Sequence, residues 1–168
     1  MRTIIVGFSR PKTWKPFAWM IMAAYRTNYD HVYIKLHSDS YERDIIYQAS
    51  SVMVNFMSPN IFQSNNVVVE EYPVQISDEN YVKLMQFCID NAGKPYSLKE
   101  VLGFACMVIA GWFGKKISNP FQENTSQFVC SVLGDYILSN FTDEAVPEDF
   151  ESVDPKTLRN VLASQKKT

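Results

Sequence analysis

An α+β domain, with an antiparallel sheet packed against helices, is the fold class this sequence predicts. Three observations lead there. Short β-branched and aromatic runs with period-two alternation occupy the first half of the chain, most cleanly His31-Val32-Tyr33-Ile34-Lys35-Leu36. A short polar connection at 37–44 joins that run to a second one at 45–49, as an antiparallel hairpin requires. From Ser77 onward the apolar spacing becomes helical and N-cap signals replace strand signals.

Each element has its own warrant. Thr3-Ile4-Ile5-Val6-Gly7-Phe8 reads as a strand, and 11–16, bounded by two prolines, as a turn region. Residues 17–25 carry Phe17, Trp19, Met20, Ile21 and Ala24, the wide apolar face of a short helix, which Asn28-Tyr29-Asp30 ends. Strand 31–36 follows, then its hairpin partner 45–49, and a weaker alternation at 52–56. Residues 67–76 read as a long strand in which Pro73 points to a sheet edge or a bulge. Ser77 caps the next helix, Asp78 and Glu79 suit its positive end, Val82, Met85 and Ile89 are expected to share its core face, and Gly93 closes it. Ser97-Leu98-Lys99-Glu100 is a capping-box pattern, and Lys115-Lys116 suits the far end of the helix it opens. A loop at 117–125 leads to a helix from Cys130 to about residue 139. Asp154-Pro155 then sets a cap and first-turn proline for a last helix at 155–163. No repeat, low-complexity tract or linker divides the chain, so 1–168 is expected to be a single domain.

Composition removes several classes of function. Net charge is −2 with no long basic run, which argues against nucleic acid as the partner. Cys88, Cys106 and Cys130 form no Cys-x-x-Cys, so neither a disulfide framework nor a structural zinc is expected, and no cofactor or metal is called for. Met1-Arg2 leads straight into a strand rather than a signal peptide. The longest uncharged run, 101–114, is shorter than the ~20 residues that cross a bilayer. It is expected to be a buried helix, the alternative being a helix that rests on a membrane. On these features the chain is expected in the cytoplasm or in a virion, with contact to a membrane surface or cell wall left open.

The chemistry-bearing residues are few. Cys130 stands at the front of an apolar helix, where the dipole favours a thiolate, and His31 opens a strand that would hold a base rigidly. Alternation puts His31, Tyr33 and Lys35 on one face, expected to be the more polar one, and Val32, Ile34 and Leu36 on the other. A hairpin closing within 38–42 brings Gln48 beside His31, where its amide oxygen can fix the imidazole as the third member of a triad does. Cys88 and Cys106 sit inside apolar helices and are expected to pack, and His37, in the polar turn, is expected to be exposed.

The ordered set Tyr29-Asp30-His31-Val32-Tyr33-Ile34, Ile46-Tyr47-Gln48-Ala49, Gly93-Lys94-Pro95-Tyr96, Phe128-Val129-Cys130-Ser131 and Asp154-Pro155-Lys156-Thr157-Leu158 resembles the circularly permuted NlpC-like hydrolases of the papain fold, a group similar to the lecithin–retinol acyltransferase relatives. In that arrangement histidine comes first in the chain and cysteine last, as here. The sequence departs from the family pattern at Asp30, commonly Ser, at Val132, often Glu, and at Gln48, often Glu or His. The resemblance implies a permuted papain-like fold and a cysteine hydrolase in which Cys130 is nucleophile, His31 general base and Gln48 orienter. Its substrate would be an amide bond of a cell-wall peptide or of a lipid, cleaved through a thioacyl intermediate. A lipid acyltransferase or thioesterase of the same fold is the alternative within this chemistry. A binding or virion-assembly module that keeps the fold without turnover is the alternative outside it.

Overall fold

A computed structural model describes residues 1–50, 52–95, 103, 106–107, 110–115, 117–118, 130–142 and 155–165 of the 168. Its frame is a five-stranded antiparallel sheet in the order β4-β3-β2-β1-β5. The strands are β1 (Arg2–Pro11), β2 (His31–Ser38), β3 (Arg43–Ala49), β4 (Val54–Met57) and β5 (Asn66–Ile76). Helix α1 (Pro16–Tyr25) joins β1 to β2, and α2 (Pro59–Asn65) joins β4 to β5. After β5 come α3 (Asp78–Asn91), α4 (Cys130–Phe141) and α5 (Pro155–Gln165). The α+β class is as the sequence predicts.

β1 runs between β2 and β5, so its backbone is paired along both edges, and Ile4, Val6 and Phe8 are fully buried in the core on the sheet's face. Pro73 falls on β5, an edge strand, where a missing N–H costs no ladder bond on the open side. The sheet's irregularity lies elsewhere, between Phe8 and Ser9 of β1, where the pairing with β5 shifts register.

One face of the sheet carries the main core. Val32, Ile34, Leu36, Tyr47 and Val74 pack there with Leu84 and Cys88 of α3, Cys130, Leu133 and Ile137 of α4, and Leu158 and Leu162 of α5. Gly134 permits the close approach of α4 to the sheet: a β-carbon there would lie 3.2 Å from Val32 and 3.1 Å from Leu158. Arg159 fastens α5 to β5 by a two-pronged bond to the Glu70 carboxylate at 2.8 and 3.0 Å.

The other face carries His31, Lys35 and Gln48, the more polar set as expected, and also a second small core of Tyr33, Ile46 and Phe62, with Met57 and Val68 against it. Helix α2, which sequence reading left unassigned, supplies the Phe62 ring, 4.5 Å from that of Tyr33. Ser58 caps α2 by accepting the Ile61 N–H, and Pro59 takes the first helical position, so the local signals for this helix are in the sequence. Tyr33 also lies flat over Gly7, whose absent side chain makes the room. Its hydroxyl donates to Glu71 at 2.7 Å, and Lys35 pairs with the same carboxylate.

Two further expectations are corrected. The core face of α3 is Tyr81, Leu84, Cys88 and Asn91, whereas Val82 and Ile89 are exposed. The weak strand expected over 52–56 is β4, displaced to Val54–Met57. The capping-box residues Ser97 to Glu100, the motif residues Tyr96, Phe128 and Val129, and the cap Asp154 lie outside the described residues, as does most of 101–109. Among the described residues no helix is long and apolar enough to cross a membrane.

Candidate functional site

The β2–β3 register sets Ile34 opposite Tyr47 and Leu36 opposite Ile45. Continued by three residues, it sets His31 opposite Ser50, so that His31 and Gln48 lie on one face as diagonal neighbours within side-chain reach. They meet there: His31 Nε2 and Gln48 Oε1 are 2.7 Å apart.

The proton on that bond can be assigned from the bonds behind it. Gln48 Nε2 donates to Asn55 Oδ1 at 3.3 Å, Asn55 Nδ2 donates to Ser50 Oγ at 3.3 Å, and Ser50 Oγ donates to the Met53 carbonyl at 3.0 Å. A backbone carbonyl can only accept, so the direction of every link is fixed from that end. Gln48 therefore presents its oxygen to the ring, His31 carries its hydrogen on Nε2, and Nδ1 keeps the lone pair. Asn55, Ser50 and Met53 were not foreseen as part of the site. Their placement depends on the β3–β4 pairing of Gln48 with Asn55, which no local pattern announces.

Burial is the main influence on His31 and holds its pKa below the ordinary histidine value. The Asp30 charge and the Gln48 bond oppose this, and Lys15 adds to it. The imidazole is thus neutral at neutral pH, the form a general base needs. Asp30 is pushed the other way, its carboxyl raised by burial and drawn down by His31. Two buried oxygens beside the ring, Asp30 Oδ1 and the hydroxyl of Ser9, have no partner among the described residues; Ser9 sits directly across from His31 in the β1–β2 ladder.

His31 and Gln48 open onto a cavity of about 520 Å³. Phe17, Ala18 and Ile21 of α1 and Met57 of β4 form its apolar walls, and Lys15, Asp30 and Asn65 supply polar groups. A partly open, mostly apolar pocket with a few convergent polar groups suits a small ligand or the acyl part of a larger one.

Cys130 opens the described part of α4 and is only 5% exposed. The helix packs across β2 and β3, the two strands that carry His31 and Gln48. Gly134, one turn after Cys130, touches Val32, the residue after His31. The thiol itself belongs to the main core on the Val32 face and is not among the residues lining the His31 cavity. The structure thus brings His31 and Gln48 together in a pocket and sets Cys130 on a helix that packs on the same two strands, outside the residues that line that pocket.

The other candidates fall as packing or surface. Cys88 is buried, and its thiol pKa is pushed far up by desolvation, so it is inert. Cys106 is half-buried. His37 is exposed and pairs with Asp44 at 2.9 Å. Tyr33 is taken up by Glu71. Among the described residues no group of histidine, cysteine or carboxylate side chains could hold a metal ion. Neither protein-family models nor curated protein sequences match this chain.

Proposed function

We propose that the protein is a cysteine-nucleophile hydrolase of the permuted papain-like, NlpC-like type, acting on an amide bond of a cell-wall peptide or a lipid. The observation that supports it most is the His31–Gln48 pair: a neutral imidazole, its tautomer fixed by a directional amide chain, facing a partly apolar pocket. In this reading the Cys130 thiol gives its proton to His31 Nδ1 and its sulfur attacks the carbonyl carbon. The tetrahedral intermediate collapses, the C–N bond breaks, and the amine leaves with the proton from His31. Water then attacks the thioester, losing its proton to His31, and the acid departs as the thiol reforms. The free N–H groups of the first turn of α4 are the natural donors to the oxyanion. An alcohol or amine acceptor in place of water would make the same site an acyltransferase.

The burial of Cys130 and its place outside the pocket lining favour a second reading, a binding or assembly module that keeps the fold without turnover. The two are separated by intact-mass measurement after incubation with peptide-amide and phospholipid substrates. The hydrolase reading expects a transient acyl adduct on Cys130, absent in Cys130→Ser. A folded Cys130→Ser variant that still turns over the same substrate would refute Cys130 as the nucleophile.

A further inference from the structure

Helix α1 is apolar all round: Pro16-Phe17-Ala18-Trp19-Met20-Ile21-Met22-Ala23-Ala24-Tyr25 contains no charged, amide or aliphatic hydroxyl side chain. Such a helix is normally buried on every side. Only Ala18, Ile21, Met22 and Ala24 are, while Trp19 and Ala23, one turn apart on the opposite face, are exposed. The three tryptophans of the chain lie along this helix with their rings in solvent. Trp14 precedes it at 72% exposure, Trp19 is on it at 53%, and Trp112 is drawn to its end by Arg26, whose guanidinium lies 5.8 Å from the indole, at 51%. Phe113 follows at 76% exposure, on the turn closed by Gly114 in a left-handed conformation.

The described charges that flank this surface in sequence are basic: Arg10, Lys12 and Lys15 before α1, Arg26 at its end and Lys115 just after Phe113, in a chain that carries sixteen Lys and Arg against eighteen Asp and Glu. Exposed tryptophans among apolar residues with a basic surround are the composition of an interfacial membrane-binding face. A second copy meeting this surface by a two-fold axis would set its cations against each other, which disfavours that occupant.

We infer that the outer face of α1, with Trp14, Trp112 and Phe113, docks onto a lipid bilayer bearing anionic headgroups. The inner face of the same helix walls the His31 cavity, but the docking stands whether or not Cys130 is a nucleophile.

The tryptophans make the test direct, because every one of them is in the docking surface. Mixed phosphatidylcholine–phosphatidylglycerol vesicles should shift the emission of the intact protein to the blue. Brominated phosphatidylcholine included in them should quench it. Pure phosphatidylcholine vesicles or raised salt should weaken the effect several-fold. Trp19→Glu should abolish it. Lys12→Glu combined with Lys115→Glu, two exposed sites away from any core, should reduce it several-fold and keeps the test sound if Trp19→Glu fails to fold by circular dichroism. An unchanged spectrum with every vesicle would overturn the inference. So would emission that responds only to protein concentration, which would mark a self-association surface, or only to a single-stranded oligonucleotide, which would mark a nucleic-acid surface.

Discussion

Asp135 lies on the inner side of α4, fully buried, and neither carboxylate oxygen has a hydrogen-bond partner among the described residues. Desolvation alone drives its pKa up to about 6 from an ordinary 3.8. At neutral pH the folded protein must still hold it ionised or pay to protonate it. A shift of that size corresponds to roughly 3 kcal/mol, at ~1.4 kcal/mol per unit. Because the folded-state pKa is the higher one, the folded state binds more protons between pH 3.8 and about 6, so stability falls as pH rises through that window. Asp135→Asn removes the charge and keeps the shape. It should stabilise the protein at pH 7 by an amount on the order of 3 kcal/mol, with the gain shrinking to near zero below the carboxylate's ordinary pKa. Urea unfolding of both proteins across that range measures the difference directly. A gain independent of pH, or destabilisation at pH 7, would refute the reasoning and imply that Asp135 is paired as an anion.

Gln48 should act on His31 through orientation and not charge, so Gln48→Ala should slow turnover less than His31→Ala. Gln48→Glu should keep the bond, raise the His31 pKa and move the pH–rate profile upward, since a nearby negative charge favours the protonated ring. A fully active Gln48→Ala together with an unmoved profile in Gln48→Glu would remove Gln48 from the site. Gly7→Ala should cost about 1–3 kcal/mol or more by urea unfolding, because its β-carbon would lie 2.1 Å from the buried Tyr33 ring. In a Tyr33→Ala background the same change should cost much less, and equal costs in both backgrounds would show that the ring is not what fills the space.

The His31–Gln48 contact was legible because two rules act together. Strand alternation fixes the face, and the length of the 39–42 connection fixes the register to within the same parity. The polar chain behind Gln48 was not legible, since Asn55 and Ser50 reach it only through the β3–β4 pairing. Helix α2 was missed although Ser58-Pro59 is a sound start signal, because a seven-residue helix has too little periodicity to stand out. In α3 two apolar rows compete, Tyr81-Leu84-Cys88 and Val82-Met85-Ile89, and period alone does not choose between them. Packing against α4 chose the row with the tyrosine, whose hydroxyl also reaches the His37 carbonyl. Cys130 at the head of its helix was read from its neighbours; which face of the sheet the thiol enters depends on how α4 crosses β2, a tertiary fact with no local signature.

The central claim is that Cys130 is a thiolate nucleophile activated by His31. The most direct test is site-resolved alkylation of the native protein near neutral pH, comparing Cys130, Cys88 and Cys106 by peptide mass spectrometry. Cys130 should react fastest despite its burial, with a rate that falls sharply in His31→Ala while the other two thiols are unchanged. Slow labelling of Cys130, at a rate that His31→Ala does not alter, would contradict the claim and leave the pocket of His31 and Gln48 as a binding site.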